Sequence, residues 1–229
     1  MLKIGWKQRI YWYIIILLLR IHGWRLKEKI IKLRGLKLYI PRNVFYPVRT
    51  FSTELILEYL DKILKNSNNL CLCDIGTGTG VIGLFAAKRG VRVVASDISP
   101  TAVKASRINA ILNNCRIDIR LCDLFECFDG SEKFDIIIFN PPYFPIRITD
   151  EFSMTYAAGE NYEIIIRFLR EAKNHLKPNG YVLITLTSLV DIELIFQIAQ
   201  KIGYKVELIN KVKGLPKEEI RLYRLSLSS

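Results

Sequence analysis

Residues 70–90 read LCLCDIGTGTGVIGLFAAKRG. An apolar run with strand character stops at Asp74, passes through Gly76, Gly78 and Gly80, and continues as an apolar helix. Glycines at that spacing permit a tight turn and let a ligand approach the backbone closely. The helix that follows turns its unpaired N-terminal amides toward the same place. A strand, a glycine loop and a helix in this order predict a nucleotide-type site in an α/β fold. The loop departs from the dinucleotide fingerprint, because an acid precedes it and the glycines run G-x-G-x-G.

The same alternation extends along the chain. Strands are predicted over 70–75, 91–97, 117–121, 134–140, 181–187, 204–211 and 219–227. Helices are predicted over about 79–89, 100–113, 160–176 and 190–202. Repeated strand–helix units imply a largely parallel sheet with helices on both faces. Ligands in such sheets bind beyond the carboxyl ends of the strands, near the point where strand order reverses.

Two more acids follow strands. Asp97 closes VRVVASD, where a carboxylate can accept from ribose hydroxyls. It also suits a helix N-cap ahead of Pro100. Asp123, in CDLF, follows the third strand and can accept from an exocyclic base amine; an Asx turn is its structural alternative. The fourth strand, FDIIIF, ends in Asn140-Pro141-Pro142-Tyr143. An amide, two residues that cannot join a ladder and a phenol make an unusual strand terminus.

These features together resemble the class I S-adenosylmethionine-dependent methyltransferases, over about residues 45–227. The resemblance implies a Rossmann-like seven-stranded sheet whose last two strands form an antiparallel edge hairpin. It implies S-adenosyl-L-methionine as cofactor, contacted by Pro47, Thr53, Asp74, Gly76, Thr77, Gly78, Gly80, Asp97, Ile98, Asp123, Leu124 and Asn140. NPPY marks members that methylate a planar nitrogen, with Asn140, Pro141, Pro142 and Tyr143 as the catalytic set. The lone pair of such a nitrogen is delocalised. Acceptors for both N–H groups favour a pyramidal nitrogen, and an aromatic face fixes its plane. Asn140 offers a side-chain carbonyl, Pro141 a backbone carbonyl held by restricted φ, and Tyr143 the ring. No metal is required, and two histidines supply a zinc site poorly.

Looser segments resemble the HemK/PrmC-type glutamine methyltransferases, especially their short archaeal and eukaryotic forms. VFYPVRTFSTELILEYL (44–60) is similar to the element before the first core helix, with Ser52 where that family carries an acid. Ser52 is the expected N-cap of this helix. MTYAAGENYEIIIRFL (154–169) is similar to a W/Y-A-G-G-x-x-G segment, with Tyr162 where a glycine is common. KGLPKEEIRLYRLSL (213–227) resembles the closing hairpin. The acceptor implied is a glutamine amide of a translation release factor. The other acceptor open to NPPY enzymes is adenine N6 or guanine N2 of rRNA or tRNA, so possible nucleic-acid binding stays open. The short forms often work with a small zinc-binding activator subunit that covers an apolar strand edge. VRVVAS (91–96) is either that edge or an ordinary buried strand.

The net charge of +12 is unevenly placed. Residues 1–49 carry twelve Lys/Arg against one acid, Glu28, so the rest of the chain is almost neutral. Residues 1–44 therefore read as a basic, partly apolar extension, and 45–229 as the methyltransferase domain. The apolar run IYWYIIILLL (10–19) is too short to span a bilayer as a helix. It reads as a helix packed on the domain; an interfacial membrane helix and a basic face for RNA or the ribosome are the alternatives. GLKLYIPRNVFYP (35–47) predicts a strand over 36–40, a turn at 41–43 and a short return through Val44-Phe45. Five irregularly spaced cysteines, without a signal-peptide pattern, read as free thiols of a cytoplasmic protein.

Overall fold

The structure, a computed structural model, describes residues 10–14, 17, 28–42, 44–45, 47, 50–66, 69–214 and 218–227. The flanking bases Lys7, Arg9 and Arg20 lie outside the described residues, as does Asn43 of the expected turn.

A seven-stranded sheet is built from β3 (Cys71–Ile75), β4 (Arg92–Asp97), β5 (Asp118–Leu121), β6 (Phe134–Phe139), β7 (Leu176–Thr187), β8 (Tyr204–Lys213) and β9 (Glu219–Leu227), in the order β5-β4-β3-β6-β7-β9-β8. The five strands from β5 to β7 are parallel, and β9 runs antiparallel to both β7 and β8. The class I arrangement and its edge hairpin are therefore present. Strand order reverses at β3, which pairs with β4 on one side and β6 on the other. Ile75 and Phe139 are register partners there, so the glycine loop and Asn140 leave the sheet side by side.

Of helices α1 (Phe51–Ile63), α2 (Val81–Ala87), α3 (Pro100–Leu112), α4 (Glu151–Met154), α5 (Glu163–Ala172) and α6 (Ile192–Ile202), all but α4 cover the sheet, and the short α4 lies at a cleft. The period-2 alternation of the strands divides the core into two layers. Cys73, Ile137 and Ile184 share one layer with Phe168 and Leu169 of α5 and Ile195 of α6. Leu72, Ile138 and Leu183 share the other with Ile56, Leu57 and Leu60 of α1 and with Leu84 and Phe85 of α2.

Several expected boundaries move. The α1 N-cap is Thr50, and Ser52 lies buried inside the helix. β7 begins at Leu176, five residues early, because Asn179 takes φ 64° and lets Lys177–Gly180 continue the strand across an irregularity in register. β4 is paired on both sides, so VRVVAS is a buried strand; the sheet edges are β5 and β8.

The strand at 36–40 does not return through Val44-Phe45. It is β2 (Leu36–Ile40), paired antiparallel with β1 (Lys29–Leu33) across Arg34-Gly35. Both turn residues have positive φ, 49° and 81°, the conformation of a type I′ hairpin turn. The outer edge of β2 is closed by side chains of α3 and the residue that caps it. Asn113 Oδ1 accepts from Lys37 N at 2.9 Å and its Nδ2 donates to Lys37 O at 2.7 Å. Asn109 repeats the pattern on Tyr39, at 2.6 and 2.9 Å. A helix i,i+4 pair thus meets a strand i,i+2 pair.

Residues 10–14 and 17 are helical. Trp12 is buried, donates from Nε1 to Leu189 O at 3.2 Å and packs against Phe144. No helix among the described residues is long and apolar enough to cross a membrane.

Candidate active site

A cleft opens at the strand-order reversal, above the carboxyl ends of β3, β4 and β6. Its floor is the glycine loop. Gly76 has φ 65°, and a Cβ there would meet the Phe139 ring at 3.3 Å, so the turn and the close approach both call for glycine. Two residues of α3 hold the next carbonyls of the loop. Ser106 Oγ donates to Gly78 O at 3.1 Å, and Asn109 Nδ2 donates to Thr79 O at 2.9 Å.

Asp74 sits under the loop rather than in the cleft wall. Its Oδ2 accepts from Thr77 Oγ1 at 2.6 Å and from Gly83 N at 3.1 Å. Burial pushes its carboxyl up to about 7, against the pull of those two donors. Gly80 likewise lies outside the wall, as the left-handed cap of α2 packed on Ser106.

Pro47, Thr53, Gly76, Thr77, Gly78, Asp97, Ile98, Asp123, Leu124 and Asn140–Tyr143 all line the cleft. Asp97 accepts from Gly78 N at 2.8 Å and Ser99 N at 2.9 Å. Desolvation raises its carboxyl above the ordinary range. The helix cap expected of Asp97 is made by Ser99, whose side chain accepts from Ala102 N. Asp123 is ion-paired with Arg167 of α5. Leu124 has φ 49° and is buried. The turn through Asp123–Glu126 folds the chain back, and Cys122 and Cys127 are joined as a disulfide with Cα atoms 5.7 Å apart. This corrects the reading of five free thiols; Cys71 and Cys73 are buried and free, as small core residues.

At the β6 terminus three oxygens form a triangle. Tyr143 OH lies 2.8 Å from Asn140 Oδ1 and 2.9 Å from Thr185 Oγ1, and Thr185 Oγ1 lies 2.6 Å from Asn140 Oδ1. Ser52 of α1 also hydrogen-bonds the Tyr143 hydroxyl. Burial raises the phenol to about 12, so it stays protonated at neutral pH.

Sequence reasoning missed the cleft's outer wall. Phe45, Ile148, Met154, Tyr156 and Ile164 line it. Phe144 N donates to Tyr156 O, and Ala158 N donates to Phe144 O, both at 2.8 Å, which ties the segment after NPPY to the 156–158 segment. The signal for that pairing was the looser similarity around 154–169. Tyr162 adopts φ 61°, the conformation glycine takes freely. Its ring is fully buried, and its hydroxyl accepts from Asp191 N at 2.9 Å.

The donors and acceptors fit S-adenosylmethionine. The Asp97 carboxylate could accept from ribose hydroxyls, the glycine loop leaves room for close backbone approach, and Ile98 and Leu124 could offer apolar surface to a planar base. Among the described residues no group of three or more His, Cys, Asp or Glu could hold a metal ion. Fold and cleft define an S-adenosylmethionine-dependent class I methyltransferase. Residues 43–214 match the methyltransferase small domain, and the chain belongs to that family.

Among its relatives is a putative protein N5-glutamine methyltransferase of Methanocaldococcus jannaschii, 37% identical over 197 residues, spanning 83% of this chain and 95% of that one. A release factor glutamine methyltransferase of Clostridium acetobutylicum is 35% identical over 166 residues, covering 65% of this chain and 56% of its own length. Solved structures share the fold at lower identity. The E. cuniculi Mtq2–Trm112 complex has TM-score 0.63 at 21% identity, covering 81% of this chain and 99% of that chain. The M. jannaschii tRNA m1G37 methyltransferase has TM-score 0.65 at 19% identity, covering 90% and 58%.

Proposed function

We propose that this enzyme methylates a glutamine side-chain amide of a translation release factor. The observation that carries the reading is the similarity to the putative N5-glutamine methyltransferase of M. jannaschii over nearly its whole length, together with FNPPY at the cleft. Bound S-adenosylmethionine supplies an electrophilic methyl group. Asp97 and the glycine loop hold the cofactor by its ribose and backbone-facing side, and the apolar wall from Phe45 to Tyr156 excludes water from the transfer path. Asn140 Oδ1 and the Pro141 carbonyl accept from the two N–H groups of the acceptor amide, and the Tyr143 ring fixes its plane. The N–C bond would form as the bond between methyl and sulfonium sulfur breaks, its electron pair staying on sulfur, and the nitrogen then loses one proton and returns to a neutral amide. Holding the reactants in line accounts for much of such a rate enhancement.

The second reading is transfer to adenine N6 or guanine N2 of RNA. The basic character of residues 1–49 favours it. A small activator subunit that covers a strand edge would find β5 at the parallel end of the sheet in this chain. Cytoplasmic action follows from a release-factor substrate. The decisive experiment is transfer of labelled methyl groups to a native cell extract, with protease and nuclease digestion in separate aliquots. Label released by protease and retained through nuclease is expected; the reverse overturns the glutamine reading.

A further inference from the structure

Thr185 lies on β7 beside the residue that ends β6. The parallel register pairs Phe139 with Ile184, so the next step places Asn140 against Thr185. Thr185 is completely buried, and its hydroxyl sits 2.6 Å from Asn140 Oδ1 and 2.9 Å from Tyr143 OH. Only two protons serve the three oxygen pairs of this triangle, one from each hydroxyl. In one arrangement both hydroxyls donate to Asn140 Oδ1 and occupy its two lone pairs. In the others one hydroxyl donates to its fellow and only the second donates to Asn140; with Tyr143 donating to Thr185 and Thr185 to Asn140, one lone pair of Oδ1 is free. These differ only by rotation of hydroxyl hydrogens.

We propose that Thr185 is a positioning residue for methyl transfer. It holds the Asn140 carbonyl through one hydrogen bond and offers the Tyr143 hydroxyl an alternative acceptor. An incoming substrate N–H can then take the vacated lone pair without movement of any heavy atom. Preorganised acceptors of this kind cost little reorganisation at the moment of reaction. A buried threonine needs a partner for its hydroxyl, but a backbone carbonyl one turn or strand away would serve that need. Here both neighbours of the hydroxyl belong to the NPPY motif. The proposal rests on Asn140 being the acceptor for the substrate nitrogen.

The test compares Thr185→Val, Thr185→Ser, Asn140→Ala and the Thr185→Val/Asn140→Ala double variant of the full chain. Valine keeps the branched shape on the strand and removes only the hydroxyl. Three quantities are read: the initial rate of labelled methyl transfer to a native cell extract, the Kd for S-adenosylmethionine, and the thermal midpoint. Thr185→Val is expected to lower the rate about tenfold, the equivalent of one hydrogen bond, at unchanged Kd. Thr185→Ser should restore most of it, and Thr185→Val should add nothing to Asn140→Ala. A wild-type rate in Thr185→Val beside a crippled Asn140→Ala overturns the role of Thr185 alone. Losses that multiply in the double variant overturn it too, because Thr185 then does not act through Asn140. A wild-type rate in Asn140→Ala overturns the acceptor assignment itself.

Discussion

Asp97 accepts the backbone N–H of Gly78 at 2.8 Å, so the acid expected to read the ribose also fastens the loop expected to cradle the rest of the cofactor. Its other oxygen accepts from Ser99 N, and with a third bond from the Ile98 backbone the carboxylate keeps one lone pair for a hydroxyl. Asp97→Ala should therefore weaken S-adenosylmethionine binding by about 2–3 kcal/mol, the range for hydrogen bonds to a charged group. Calorimetric titration of the folded variant measures this; unchanged affinity would remove Asp97 from the site.

Asp74 gives the enzyme a pH dependence of definite sign. Its buried carboxyl holds a proton up to about pH 7, whereas the unfolded chain releases that proton near pH 4. The native state thus binds more protons between these values, and this group's contribution to stability falls as pH rises from about 4 to 7. Asp74→Asn should flatten that fall, gaining stability relative to wild type at pH 8 compared with pH 5. Urea unfolding at the two pH values tests it; parallel curves would show that Asp74 is ionised throughout.

Asn140→Ala should leave the Kd for S-adenosylmethionine within severalfold of wild type and cut turnover roughly a hundredfold, the scale for removing one preorganised hydrogen-bonding group. Turnover and calorimetry on the same preparation separate the two effects.

Asn109→Ala removes three hydrogen bonds at once, two to Tyr39 and one to Thr79 O. The loss of stability should be on the order of 1–3 kcal/mol, since buried backbone groups are left unpaired. Cofactor affinity should fall with it, because Thr79 belongs to the loop. A destabilised variant with unaltered affinity would mean that the loop does not lean on α3.

Removing residues 1–27 leaves β1 and β2 whole, whereas a cut at residue 34 divides them. The buried Trp12 is lost in either case, at a cost of about 3–5 kcal/mol for a large aromatic side chain. Circular dichroism must first show a folded product. That product is expected to keep its activity on the protein acceptor, and the full chain's activity should depend weakly on salt. Lost activity with a steep salt slope would favour an RNA acceptor.

The sheet, its reversal point and the NPPY terminus were legible because each is encoded locally. Alternation marks β3 to β9, glycine spacing marks the loop, and Asn140 directly ends an apolar run. What escaped depends on partners distant in sequence. KIIKL pairs with LKLYI through Arg34-Gly35, a two-residue turn whose signal is weaker in the sequence than that of Pro41. Lys177–Gly180 looks like a loop until Asn179 takes a left-handed conformation. The wall of Phe45, Ile148, Met154 and Tyr156 has no period of its own and exists only through tertiary packing. The Cys122–Cys127 bond depends on Leu124 taking a left-handed conformation, which a turn signal at Asp123 does not by itself announce.

The two asparagine amides that complete β2 have a consequence for the behaviour of the protein in solution. A small two-stranded hairpin with a bare outer edge offers its N–H and C=O groups to any extended chain nearby. Lys37 and Tyr39 make no such offer, since a helix of the same molecule already answers them. The β2 margin of the hairpin is thereby closed to strands of other molecules. Replacing Asn109 and Asn113 together would expose a sticky margin, and light scattering should show the variant associating at concentrations where the parent stays dispersed.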